Sequence, residues 1–283
     1  MLDKKASSGN RLEILLFTFL LLAIGGCVER NIDSERHTEQ IREMIGRGEF
    51  NVARNEVDSL RALFPKNTSI LREALRLSRH IDSCEAARNV AFCDSLLPIR
   101  QAELEAMKSI FSFEKDTAYA TPGNYVHRGQ TIEHNIGRSY LRSGVTEYGE
   151  AYLASVYAGS RPIKHTALRI SAPNGLYAET PSIPYDSGRN YRFEDNGTYT
   201  EVVTYRGEHC HAVLQFLYEN HDVSLRADYL GGKPYHLYVG TKDKADIVAT
   251  WQFSYLLKDV MRLSAERVKA RQRLSYLNSK VDK

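Results

Sequence analysis

Toward both ends of this chain apolar positions recur at alternating spacings of four and three, the period of a helix that buries one stripe against a neighbour. Phe50, Ala53, Val57 and Leu60 keep helical spacing until Pro65, and Gly46 and Gly48 close a preceding helix that starts near His37. From Thr68 to Phe111 no glycine intervenes, and Ile70, Ala74, Leu77, Ile81, Cys84, Arg88 and Ala91 carry the pattern on. Pro98 lacks the donor a helix interior needs, so a kink or break is expected at Leu96 to Pro98 before Leu104, Met107 and Phe111 resume the apolar side. At the carboxyl end Ala249, Phe253, Leu256, Val260, Leu263, Arg267, Ala270, Leu274, Leu277 and Val281 hold the same alternation, with only Arg267 breaking the seam. A helix over 244–281 is about 55 Å long and cannot leave such a stripe in water. Antiparallel packing of this helix on the 68–111 helix covers both stripes; self-association through the same seam is the rival arrangement.

Between the helices the period drops to two. Tyr140–Arg142, Ala151–Tyr157, Thr166–Ile170, Thr198–Tyr205, Val223–Tyr229 and Pro234–Val239 read as short strands, with Pro173-Asn174-Gly175 and Asp195-Asn196-Gly197 as turns. The apolar run Ala212 to Leu217 fits either a short helix or a buried strand. These patterns predict an α+β chain: an N-terminal helical hairpin and long helix, a mostly antiparallel β head, and a C-terminal helix returning along the long one. The boundaries fall at 1–26 (leader), 27–35 (tether), 36–114 (helical arm), 115–243 (head) and 244–283 (closing helix).

Composition sharpens this division. None of the 17 tyrosines precedes Tyr119, so the aromatic content is concentrated in the head. The formal net charge of +3 over 283 residues is too balanced for a nucleic-acid binder, and a mean hydropathy of -0.42 excludes a polytopic membrane protein.

The first 27 residues carry an address. Lys4, Lys5 and Arg11 precede the apolar run Ile14 to Ile24, which is too short to span a bilayer, and Ile24-Gly25-Gly26-Cys27 follows. This segment resembles the lipobox signal peptide of bacterial lipoproteins. The resemblance implies cleavage before Cys27, lipidation of its thiol and amine with palmitate-type chains, and a membrane anchor at that residue. Val28 next to it implies sorting to the outer membrane. Beyond the leader, Gly48-Glu49-Phe50, Ala53 and Pro65 resemble one tetratricopeptide-like unit without a second copy, so a plain helical hairpin is the better reading. The order of segments, with Arg192 to Gly197 before a strand and Asp243-Lys244-Ala245 opening the last helix, is similar to uncharacterised Gram-negative envelope lipoproteins.

Candidate chemistry is sparse. If residues 208–212 form a strand, His209 and His211 share a face and are the candidate metal ligands, with Glu208, His221 and Asp222 as third ligands and Cys210 on the opposite side. No nucleophile elbow, zinc-helix, phosphate-loop or Cys-x-x-Cys motif is present, and no cofactor is expected. Cys84, Cys93 and Cys210 would meet an oxidising compartment, where Cys84 and Cys93 sit too far apart on one helix to pair. Tyrosines of the head serve packing first and recognition of a protein or glycan second. Basic residues of the last helix, from Lys258 to Lys283, could meet an anionic lipid or polymer, but such a face is more often simply solvated. The expectation is a lipid-anchored envelope protein whose head is a non-catalytic binding or structural module. The alternative is an envelope hydrolase, metal-assisted around His209 and His211.

Overall fold

The computed structural model describes residues 33–115 and 122–281, so the leader and Cys27 lie outside the described residues. The chain divides into two compact units, one formed by residues up to Asp94 together with those from Glu266, the other by Ser95–Ala265.

In the first unit, helices α1 (33–46) and α2 (Phe50–Leu63) form a hairpin that packs on the start of α3 (Thr68–Lys108). Ile41, Ile45, Phe50, Ala53, Val57 and Leu60 close on Ala74, Leu77 and Ile81. Asn67 caps α3, its Oδ1 accepting from the backbone N–H groups of Ser69 and Ile70 at 3.1 and 3.2 Å. The last part of α5 (Thr241–Val281) completes the unit, antiparallel to α3: Asp82 pairs with Arg273, and Asp94 with Arg267 and Arg271. The basic face of α5 is therefore partly neutralised by α3 carboxylates.

The buried stripe of α3 departs from the expected one. It runs through Ala74, Leu77 and Ile81 as predicted, then moves to Ala86 and Cys93, while Arg88 and Ala91 are exposed. At about 100° per residue this is a rotation of roughly a third of a turn. The cause is a second partner: Asp82, Ala86 and Cys93 share the side that meets α5, whereas Ala74 to Ile81 meet the hairpin. Arg88 instead lays its guanidinium over the Phe50 ring and donates to the Gly48 carbonyl. The helix also continues through Pro98, so of the kink or break expected there the break does not occur. Cys84, Cys93 and Cys210 are free thiols.

Among the described residues the second unit holds ten strands in two antiparallel sheets. The larger orders β1 (Phe111–Glu114), β2 (Asn124–His127), β3 (Tyr140–Thr146), β4 (Ala151–Gly159), β8 (Thr198–Arg206) and β7 (Asn190–Asp195). The smaller orders β10 (Tyr235–Tyr238), β9 (Arg226–Leu230), β5 (Ala167–Ser171) and β6 (Tyr177–Glu179). Asn196 and Gly197, at φ +48° and +76°, make the two-residue turn between β7 and β8, the conformation for which Asn-Gly is suited. Residues 208–219 are a helix, α4, because Cys210, Val213, Leu214 and Leu217 need one buried face at helical period. Leu141, Leu153, Val203 and Tyr205 from one face of the larger sheet meet α4, Trp251 of α5 and Leu168, Ile170 and Tyr229 of the smaller sheet in one core. Within this unit α3 and α5 again pair, through Arg100 and Asp259.

Candidate binding cleft

Strand alternation sends one set of side chains of β3, β4 and β8 into the core and the other onto the opposite face. Tyr140, Arg142 and Gly144 of β3 lie beside Val156, Ala154 and Tyr152 of β4, which lie beside Val202, Thr204 and Arg206 of β8. Tyr191 and Phe193 of the edge strand β7 extend the face beside Val202 and Thr200. Residues 131–138 wall this face, held by Asn135, whose amide donates to the carbonyls of Gly129 and Thr131. The result is a cleft of about 600 Å³. Its floor is tight: Tyr140, Tyr152, Ala154 and Val156 are buried although they face the cavity.

Packing at one end is specific. A Cβ added to Gly144 would meet the Tyr152 hydroxyl, so glycine is what lets the Tyr152 ring cross β3. The Arg206 guanidinium stands 5.2 Å from the centre of that ring. Arg142 is only 16% exposed and donates to Glu114 at 2.9 and 3.2 Å. Burial acts to lower the pKa of Arg142, but Tyr152, Glu114 and Tyr140 outweigh it, and the value rises. Burial likewise pushes the Tyr152 phenol up, against the opposing charge of Arg142. Arg142 Nε and Asn124 Oδ1 are buried without hydrogen-bond partners. At the other end Tyr191 and Phe193 present near-parallel rings 6.4 Å apart, and Ile136 of the wall is 80% exposed. Thr198, Thr200 and Thr204 and the amides of Asn135 and Asn196 also line the cavity. The two lining carboxylates, Glu114 on β1 and Asp195 on β7, are five strand spacings apart, about 24 Å along the sheet. Acid and base pairs of glycoside hydrolases stand within about 9.5 Å.

The residues singled out in the sequence lie elsewhere. His209 and His211 sit on the first turn of α4, not on a strand, so their side chains diverge around the helix; both are exposed, and His211 packs against the Trp251 ring at 5.2 Å. Cys210 between them is buried, and burial pushes its thiol up to about 12. His221 pairs with Asp222 beyond the far end of α4. Among the described residues no three His, Cys, Asp or Glu side chains gather as a metal site. A second, more open groove in this unit is lined by Trp251, Tyr255 and Tyr218 between α3, α4 and α5.

One arrangement escaped the sequence reading. Ser155 Oγ lies 2.8 Å from His165 Nε2, and His165 Nδ1 lies 3.0 Å from Glu201 Oε2. With Nδ1–H donating to the carboxylate, Nε2 accepts the serine hydroxyl, the order of a nucleophile, a base and its orienting acid. All three residues are 0% exposed, however, and Ser155 points into the core, away from the cleft. Glu201 also accepts the backbone N–H groups of Ile163, Lys164 and His165 at 2.8, 2.7 and 3.1 Å. Burial acts to raise its pKa, but the hydrogen bonds from His165 and these N–H groups hold the carboxyl below its ordinary value. The network therefore pins the 161–165 loop to the sheet. The available signal was a carboxylate in the inward phase of a strand, with Glu201 alternating with Val203 and Tyr205.

No protein-family model, curated protein or solved structure matches this chain. What the cleft can do therefore rests on its own chemistry. It offers aromatic faces, hydroxyl and amide groups and guanidinium ions, and among the described residues its lining includes no histidine, cysteine or serine.

Proposed function

We propose that this chain is a lipid-anchored bacterial envelope protein whose cleft-bearing unit is a non-catalytic module that binds a glycan. The observation that carries the reading is the composition of the cleft: stacked Tyr191 and Phe193 and three threonine hydroxyls on one sheet face, with the Asn196 amide at the adjoining turn. Aromatic rings cover the apolar faces of sugar rings, and neutral hydroxyl and amide groups answer their hydroxyls. Because the backbone of β3, β4 and β8 is already paired in the sheet, recognition falls to side chains. The address comes from Ile24-Gly25-Gly26-Cys27, with palmitate-type lipidation of Cys27 and outer-membrane sorting as its implications.

Screening the full chain lacking residues 1–27 against immobilised bacterial glycans tests the binding role. Tyr191→Ala with Phe193→Ala should weaken capture about tenfold or more, since stacking is worth about 0.5–1.5 kcal/mol per aromatic contact; unchanged capture would refute it. The hydrolase alternative has one specific observation in its favour, the Ser155–His165–Glu201 order. Covalent labelling of Ser155 by a fluorophosphonate in the native protein would establish that alternative and displace the binding role. Absence of labelling at full occupancy of a control serine hydrolase would remove it.

A further inference from the structure

Resting on the glycan reading, we infer that the glycan is acidic and places a carboxylate-bearing sugar unit at the Arg206 end of the cleft, its neutral units lying along β8 toward Tyr191 and Phe193. Charge accounting leads there. Three guanidinium groups line the cavity, from Arg138, Arg142 and Arg206. Arg138 pairs with Asp243 and Arg142 with Glu114. Arg206 is exposed and makes no ion pair among the described residues; its guanidinium stands against the face of Tyr152. A guanidinium held against an aromatic ring keeps its donor fork in place for a carboxylate, which it can meet with two parallel hydrogen bonds.

The cleft is also polarised along its length. Arg206 ends β8 at one side, and Asp195 stands opposite Thr198 at the other, about 26 Å away along the strand. An acidic unit is drawn to the first end and repelled from the second, which gives the bound chain a direction. An acidic peptide fits less well. Its affinity would need backbone partners, and this sheet face has none to spare.

Isothermal titration of the chain lacking residues 1–27 tests this with three probes: a hexamer of galacturonate, the same hexamer with its carboxyl groups reduced to alcohols, and hexaglutamate. The uronate hexamer should bind, and carboxyl reduction should weaken it about tenfold or more, the range of a charge-assisted bond. Arg206→Gln should weaken the uronate by the same factor while leaving the reduced hexamer unchanged, and Arg206→Lys should restore part of the loss. Equal binding of both hexamers to the unmodified chain overturns the inference and leaves the glycan reading standing. Binding of neither hexamer overturns the inference, while the glycan screen decides the glycan reading separately. Hexaglutamate binding as tightly as the uronate, with the same dependence on Arg206, overturns the inference in favour of a peptide ligand.

Discussion

Replacing Glu201 by alanine is the severest single change the fold of the cleft-bearing unit should suffer. The carboxylate accepts three backbone N–H groups and the His165 ring, and all but the part-buried Lys164 N–H are removed from water. Truncation leaves three buried donors and one part-buried donor without acceptors, at about 1–3 kcal/mol for each buried group left unmade. Relaxation of the 161–165 loop lets water reach some of them, so a loss of about 3–5 kcal/mol is expected, the range for breaking a buried charged contact. The single tryptophan, Trp251, lies in the core of this unit, and its fluorescence during urea unfolding reads this unit directly. pH supplies an independent check. The folded carboxyl titrates below its unfolded value, so its contribution is complete above the ordinary glutamate range near about 4.3 and is lost as pH falls through the lower folded value. Glu201→Gln should therefore destabilise at pH 7, with its deficit relative to the unmodified protein shrinking as the pH is taken below 4. A Glu201→Ala protein within 1 kcal/mol of the unmodified chain at pH 7, or a Glu201→Gln deficit that does not change with acid, would refute the reasoning.

Other expectations follow from single positions. Gly144→Leu should evict Tyr152 from the cleft floor, costing about 1–3 kcal/mol by overpacking and abolishing glycan capture; retained capture in a binding assay would contradict the assigned floor. Asn67→Ala should cost about 0.5–2 kcal/mol in the first unit, read as faster amide exchange in the first turn of α3. Iodoacetamide at pH 8 should modify the partly exposed Cys84 in the native protein and spare Cys210, whose thiol ionises only near about 12; peptide mass mapping decides between them.

The helices were legible because their burial is a one-dimensional pattern. Phe253, Val260, Leu263, Ala270 and Leu277 follow the seam read from the sequence, and α3 follows it as far as Ile81. Beyond that point a second partner on another side of the same helix changes which residues are buried, and a single stripe cannot show two partners. The Ala212–Leu217 run stayed open between helix and strand for a related reason, since one buried helical face and a short apolar run look alike over ten residues, and it is part of helix α4. Alternation made β3, β4, β5, β8, β9 and β10 legible, but not the short β1, β2, β6 and β7, of which β1 starts at Phe111, a position the helical spacing assigns to the end of the long helix, and it did not reveal the cleft. The cleft arises where Arg142, Tyr152 and Arg206 at one end and Tyr191 and Phe193 at the other are brought onto one face through lateral register, which no local period records. The same holds for Ser155, His165 and Glu201, separated by 10 and 36 positions along the chain.

The account's central claim is that the sheet face between Arg206 and Phe193 is where this protein meets its ligand. A crystal structure of the chain lacking residues 1–27, soaked with the tightest-binding glycan from the screen, addresses it most directly. The account predicts sugar density over β4 and β8, with a ring against Tyr191 or Phe193. Sugar density confined to the groove beside Trp251 would contradict it.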